Sequence, residues 1–88
     1  MIKWTKTVLG SLDEIAGFIA KDNPNRATSF VLALQADVTK LQAHPGTGRA
    51  GRVPGTRELV LHQNYIAIYR VRGDGLEILR LHHAARNR

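Results

Sequence analysis

The sequence predicts an α+β fold: a short N-terminal strand, then an antiparallel two-helix hairpin packed on a small antiparallel sheet, in the order β-α-α-β-β-β. Three observations lead there. Apolar residues recur at helical spacing through the first half of the 88-residue chain. The run Asp22-Asn23-Pro24 interrupts that pattern once. The second half breaks into short runs rich in β-branched, aromatic and leucine residues, parted by turn formers.

Ile2-Lys3-Trp4-Thr5 is a short β-prone segment in which Trp4 reads as a packing residue. Val8, Leu12, Ile15, Ala16 and Ile19 then form one stripe on a helix over roughly residues 7–21. Ser11 and Glu14 have capping-box spacing, which would start the helix later, but Val8 and Leu9 argue for a start before Gly10. Asn23 as N-cap and Pro24 at the first helical position launch a second helix, because proline there lacks only an N–H with no helical partner. Its stripe is Ala27, Phe30, Val31, Leu34, Val38 and Leu41, and it ends at His44-Pro45-Gly46. Two amphipathic helices so closely joined form a hairpin whose apolar faces need a third surface. Strands over Arg57 to His62, Tyr65 to Arg72 and Leu76 to His82 supply it, with turns at Gln63-Asn64 and Gly73-Asp74-Gly75. YIAIYRV is apolar at nearly every position, as expected of a central strand.

A chain of this length is expected to be one domain, residues 1–88, since two cores would not fit. No apolar run approaches the roughly 20 residues that span a bilayer, and MIKWTKTVLG lacks the apolar core of a signal peptide, so a cytoplasmic protein without membrane contact is expected. The absence of cysteine removes disulfides, thiolate nucleophiles and thiolate metal sites. The net charge of +6 is unevenly placed: residues 1–48 carry five basic and four acidic side chains, residues 49–88 eight arginines against Glu58, Asp74 and Glu77. Scattered charge can simply solubilise, but an arginine excess also suits an anionic partner, since the planar guanidinium matches carboxylate and phosphate.

Candidate chemistry is confined to the second half. His82 and His83 are neighbours on a strand, point to opposite faces and cannot chelate one metal together, so no metal or other cofactor is expected. His44 reads as a helix-end residue and His62 as a strand-end one. Ser11 and Ser29 lie inside helices, away from any nucleophile elbow. Gly46, Gly48, Gly51 and Gly55 resemble a phosphate loop only superficially, because no Lys-Ser/Thr follows and no helix begins there. They read as a mobile or tightly turned loop leading into Arg57. What remains is Arg57, Glu58, Tyr65, Tyr69, Arg70, Arg80, His82, His83 and Arg86. Metal-free RNA cleavage would need a base, an acid and cations around the phosphorane-like transition state, and these residue types are all present. Strand packing is the simpler role for the two tyrosines, and ion pairs with Glu58 or Glu77 are an ordinary role for Arg70 and Arg80.

The element order, with GRVPGTRELV, NYIAIYRV and LEILRLHHAAR, resembles the RelE/ParE superfamily of type II toxin–antitoxin toxins, and most of all its ParE branch. The resemblance runs over nearly the whole chain. It implies a small bacterial toxin neutralised by a cognate antitoxin, whose acidic, partly disordered segment wraps the toxin in a hetero-oligomer. RelE-like members, which cleave mRNA on the ribosome, carry an arginine directly after the residue matching Tyr65, where this chain has Ile66, and their lysines before the sheet are also missing, since none follows Lys40. The resemblance therefore favours a ParE-like poison of DNA gyrase, acting by protein contact and not as an enzyme. The residues expected to contact the target are Arg57, Glu58, Arg70, Arg80, His83 and Arg86. The alternative is a RelE-like ribosome-dependent endoribonuclease with Arg57, Glu58, Arg80, His82, His83 and Arg86 as its catalytic candidates.

Overall fold

The computed structural model describes residues 2–61, 65–73 and 75–83. The predicted Gln63-Asn64 turn, His62, Asp74 and Arg86 lie outside the described residues.

Thr5 fixes where the first helix begins. Its hydroxyl accepts a hydrogen bond from the Val8 amide at 3.4 Å and donates one to the Ile78 carbonyl at 2.8 Å, so a single side chain caps the helix and fastens it to a strand. Strand β1 (Ile2–Trp4) therefore passes directly into α1 (Lys6–Asp22). Ser11 is not the cap: inside the helix its hydroxyl donates to the Thr7 carbonyl. Asn23 closes α1 through its backbone N–H and caps α2 (Pro24–Ala43) by accepting from the Arg26 amide at 3.1 Å, with Pro24 in the first turn as the sequence predicts.

A 3-10 turn (Pro45–Thr47) leads to β2 (Arg49–Ala50), followed by β3 (Arg57–Val60), β4 (Tyr65–Arg72) and β5 (Gly75–His83). The five strands lie in the order β1-β5-β4-β3-β2. The predicted element order and α+β class hold, with one correction to the sheet. It is mixed, not wholly antiparallel, because β1 returns to the flank of β5 and runs parallel to it. The local pattern of a three-residue strand carries no information about such a distant partner. A further difference is β2, two residues long, inside what reads as loop.

The core lies between the hairpin and one face of the sheet. Val8 and Leu12 from α1, and Phe30, Leu34, Val38 and Leu41 from α2, meet Tyr65, Ala67 and Tyr69 of β4 and Leu76, Ile78 and Leu81 of β5. The Tyr65 ring stands edge-on to Phe30, with centroids 5.1 Å apart. Among the described residues, no helix is long and apolar enough to cross a membrane.

Strand alternation decides which side chains stay outside, and β5 breaks it once. Ile68 pairs with Arg80 but Tyr69 pairs with Ile78, which leaves Leu79 as an extra residue in a β-bulge. Before the bulge, Leu76 and Ile78 face the helices; after it, Leu81 does. The inserted residue turns Arg80 and His82 to the uncovered face and brings Leu81 into the core.

Leu34, 1% exposed, and Leu32, 60% exposed, are neighbours on α2 and give a matched pair. Leu34→Ala is expected to lower stability by about 3 kcal/mol and Leu32→Ala by less than about 0.5 kcal/mol, read from urea unfolding midpoints.

Candidate functional site

The face of the sheet away from the hairpin is organised in cross-strand rows. The first row runs Val60, Ile66, His82; the second Arg49, Glu58, Ile68, Arg80; the third Arg70, Glu77, Lys3. One end is apolar and the other charged. Val60 is 56% exposed, while Ile66 and Ile68 are half-buried.

The charges are arranged around two carboxylates. Arg70 Nε donates to Glu77 Oε1 at 2.7 Å, and Lys3 Nζ and Arg72 Nε lie 3.7 and 4.0 Å from the same carboxylate. The Arg70 hydrogen bond is the main cause holding the Glu77 carboxyl below its ordinary pKa. Its side chain is 12% exposed, which sets it apart from an ordinary surface acid. Glu58 accepts from Arg49 Nη2 at 3.3 Å. Arg80 is exposed, and no carboxylate lies within ion-pairing distance of it among the described residues.

The predicted site residues do not form one cluster. Glu58, Arg70, Arg80 and His82 share the open face, but Arg57 and His83 belong to the other side. Arg57 opposes buried Tyr69, and its Nη1 donates to the carbonyls of Gly48 at 2.7 Å and Gly46 at 3.5 Å. It reaches back to the loop before β2. The His83 ring stands edge-on to Tyr65 at 4.9 Å, beside a small pocket of about 210 Å³ that Ser11 and Glu14 also line. The adjacent pair Arg57-Glu58 is thus divided by the sheet; His82 and His83 alternate in register, yet both line the small pocket beside α1. No group of three or more metal-ligating side chains forms among the described residues.

Both tyrosines are buried, and Tyr69 does more than pack. Its hydroxyl accepts from the Gly48 amide at 3.0 Å and donates to the Pro45 carbonyl at 2.7 Å, fixing the loop that delivers Arg49 to the open face. Glycine is required at position 48, since a Cβ there would stand 2.6 Å from that hydroxyl and 2.8 Å from the Glu58 carbonyl. The following VPGT segment is a second fixed turn. Gly55 has φ +84°, and the Thr56 amide donates to the Val53 carbonyl at 3.1 Å, which fits a type II turn with Pro54 at its first corner. The sequence signals were Pro-Gly at that corner and consecutive Ile78-Leu79 in an otherwise alternating strand.

A helical hairpin is laid on one face of a small sheet, and an arginine-framed face of this basic protein is left open. The model of the family described as the ParE toxin of type II toxin–antitoxin systems, parDE, matches residues 2–88. The chain belongs to the ParE toxin family of type II toxin–antitoxin systems. It is 44% identical over 84 residues to "Putative toxin Y4kP" of Sinorhizobium fredii, covering 94% of this chain and 86% of that protein. It is also 32% identical over 85 residues to toxin RelE2 of Caulobacter vibrioides, covering 97% and 96%. A solved structure titled as the chromosomal ParDE TA system from P. aeruginosa superposes with a TM-score of 0.81 at 34% identity, covering 93% of this chain and 92% of that one.

Two measurements check the local chemistry. Tyr69→Phe leaves the Gly48 amide and the Pro45 carbonyl without their partner, and is expected to cost about 1–3 kcal/mol in urea unfolding. Glu77 has a lowered folded pKa, so its contribution to stability is present above the unfolded value of about 4.3 and is lost as pH falls through the folded value. Arg70→Gln should raise the Glu77 pKa in an NMR titration and flatten the acid limb of the stability profile; an unmoved titration would remove Arg70 as the cause.

Proposed function

We propose that this toxin stops growth by acting on DNA gyrase through protein contact made by the open face of the sheet, and that a cognate antitoxin neutralises it. The observation that carries this reading is the aliphatic column of β4. Ile66 stands between Val60 and His82, and Ile68 between Glu58 and Arg80. Glu58, the one candidate acid or base on β3, is thereby two strand spacings, roughly 10 Å, from Arg80 on β5. Aliphatic side chains cannot stabilise charge developing on a scissile phosphate, but they suit a protein interface. Among the described residues, Glu58, Arg70 and Arg80 are the members of the predicted target set that lie on this face; action on gyrase requires the cytoplasm.

The antitoxin has a different surface to use. Ala16, Gly17 and Ala20 of α1 and Ala27, Val31 and Leu32 of α2 border an apolar groove of about 480 Å³ along the hairpin. A groove lined by small and aliphatic residues suits an amphipathic helix, while the net charge of +6 favours an acidic chain around it. The ParDE title of the P. aeruginosa structure supports a partnership of this kind.

A ribosome-dependent endoribonuclease is the second reading, favoured by the name of the C. vibrioides relative and by Glu58, Arg80 and His82 sharing a face. The two readings separate in purified systems. Titrating the protein into a gyrase supercoiling reaction is expected to inhibit it and to accumulate cleaved DNA complexes, while primer extension on translated mRNA shows no new 5′ ends. Undisturbed supercoiling together with new ends in the ribosomal A site would reverse the choice.

A further inference from the structure

Arg80 is unlike the other open-face cations. Arg70, Arg72 and Lys3 converge on Glu77, and Arg49 is held by Glu58. Arg80 has no carboxylate partner among the described residues, and the bulge at Leu79 turns it outward. Beside it, across β4, lies Ile68; one row away are Ile66 and the exposed valine Val60. A guanidinium with no carboxylate partner among the described residues, next to an aliphatic patch, is chemically asymmetric: one half attracts an anion, the other excludes water.

Nucleic acid fits this asymmetry poorly. Single strands are held on basic grooves by stacking on aromatic rings. The only aromatic side chains of β4 are Tyr65 and Tyr69, both buried on the opposite side against the hairpin. Trp4 is paired with Ile78 and packs against the same core. Among the described residues the open face therefore offers phosphate a charge but offers bases no platform other than the His82 ring. A protein segment satisfies both halves at once, since a carboxylate can take the guanidinium in a bidentate pair while a neighbouring side chain covers the aliphatic patch.

We propose that the open face docks a segment of gyrase in which a carboxylate pairs with Arg80 and an adjoining aliphatic or aromatic side chain covers Val60 and Ile66. This rests on the gyrase reading above and adds the chemistry of the contact. Arg70, Arg72 and Lys3 share the single carboxylate of Glu77 and form the basic, polar rim of the footprint.

The test is inhibition of gyrase supercoiling by the full chain and by two variants, with Lys21→Glu on the hairpin as an equal reversal of charge elsewhere. Arg80→Glu and Val60→Asp are each expected to raise the concentration for half-inhibition by at least tenfold while leaving the urea midpoint near wild type, and Lys21→Glu by less than about threefold. Wild-type inhibition that both variants retain would overturn the docking face and leave the gyrase reading standing. Absence of wild-type inhibition would overturn the gyrase reading and this partner with it. If only Arg80→Glu loses inhibition, and loses binding of the free toxin to DNA in the same salt-dependent proportion, the face belongs to nucleic acid and the proposal fails.

Discussion

The antiparallel pairing of β4 with β5, shifted by the one residue at Leu79, fixes what faces the helices and what faces out. In so small a protein the hairpin can cover only one side of the sheet. Every side chain on β5 is therefore committed by its parity to the covered side or to the open face. The bulge changes that parity midway, so Leu76, Ile78 and Leu81 all reach the core although the last two are an odd number of residues apart. Arg80 and His82 are outward for the same reason that Leu81 is inward. The outward placement of Arg80 is a consequence of packing, which ties the candidate site to the stability of the fold.

A second constraint secures the edge of that face. The Tyr69 hydroxyl bridges the Gly48 amide and the Pro45 carbonyl, and Arg57 holds the Gly48 carbonyl. These bonds come from the covered side of the sheet, yet they position β2, whose Arg49 meets Glu58 on the open side. Within this scaffold Arg57 holds the loop before β2 and Arg70 an ion pair within the sheet, while Arg80 has neither role among the described residues.

Much of the fold was legible in the sequence because local physics specifies it. The 3.6-residue stripe of α2, the Asn23-Pro24 start and the apolar run of β4 need no distant partner to be recognised. The parallel docking of β1 on β5 was not legible, since a three-residue strand with mixed burial looks the same beside either edge. The site was legible in composition and obscure in geometry. Ile66 was informative because an aliphatic residue on a central strand has few roles. Arg57 and Glu58 are both candidates by composition, but successive side chains on a strand diverge, and only the register places them on opposite faces. The bulge left a trace in Ile78-Leu79, but only the pairing of β5 with β4 shows that the insertion falls before Arg80.

The chain contains no cysteine, so single cysteines can report which face each position occupies. In thiol-labelling of the folded protein, Arg80→Cys is expected to react at close to the rate of the unfolded chain, and Leu81→Cys at least a hundredfold more slowly. An unbulged strand would exchange these rates, burying position 80 and exposing position 81. That exchange would remove Arg80 from the open face and the proposed contact with it.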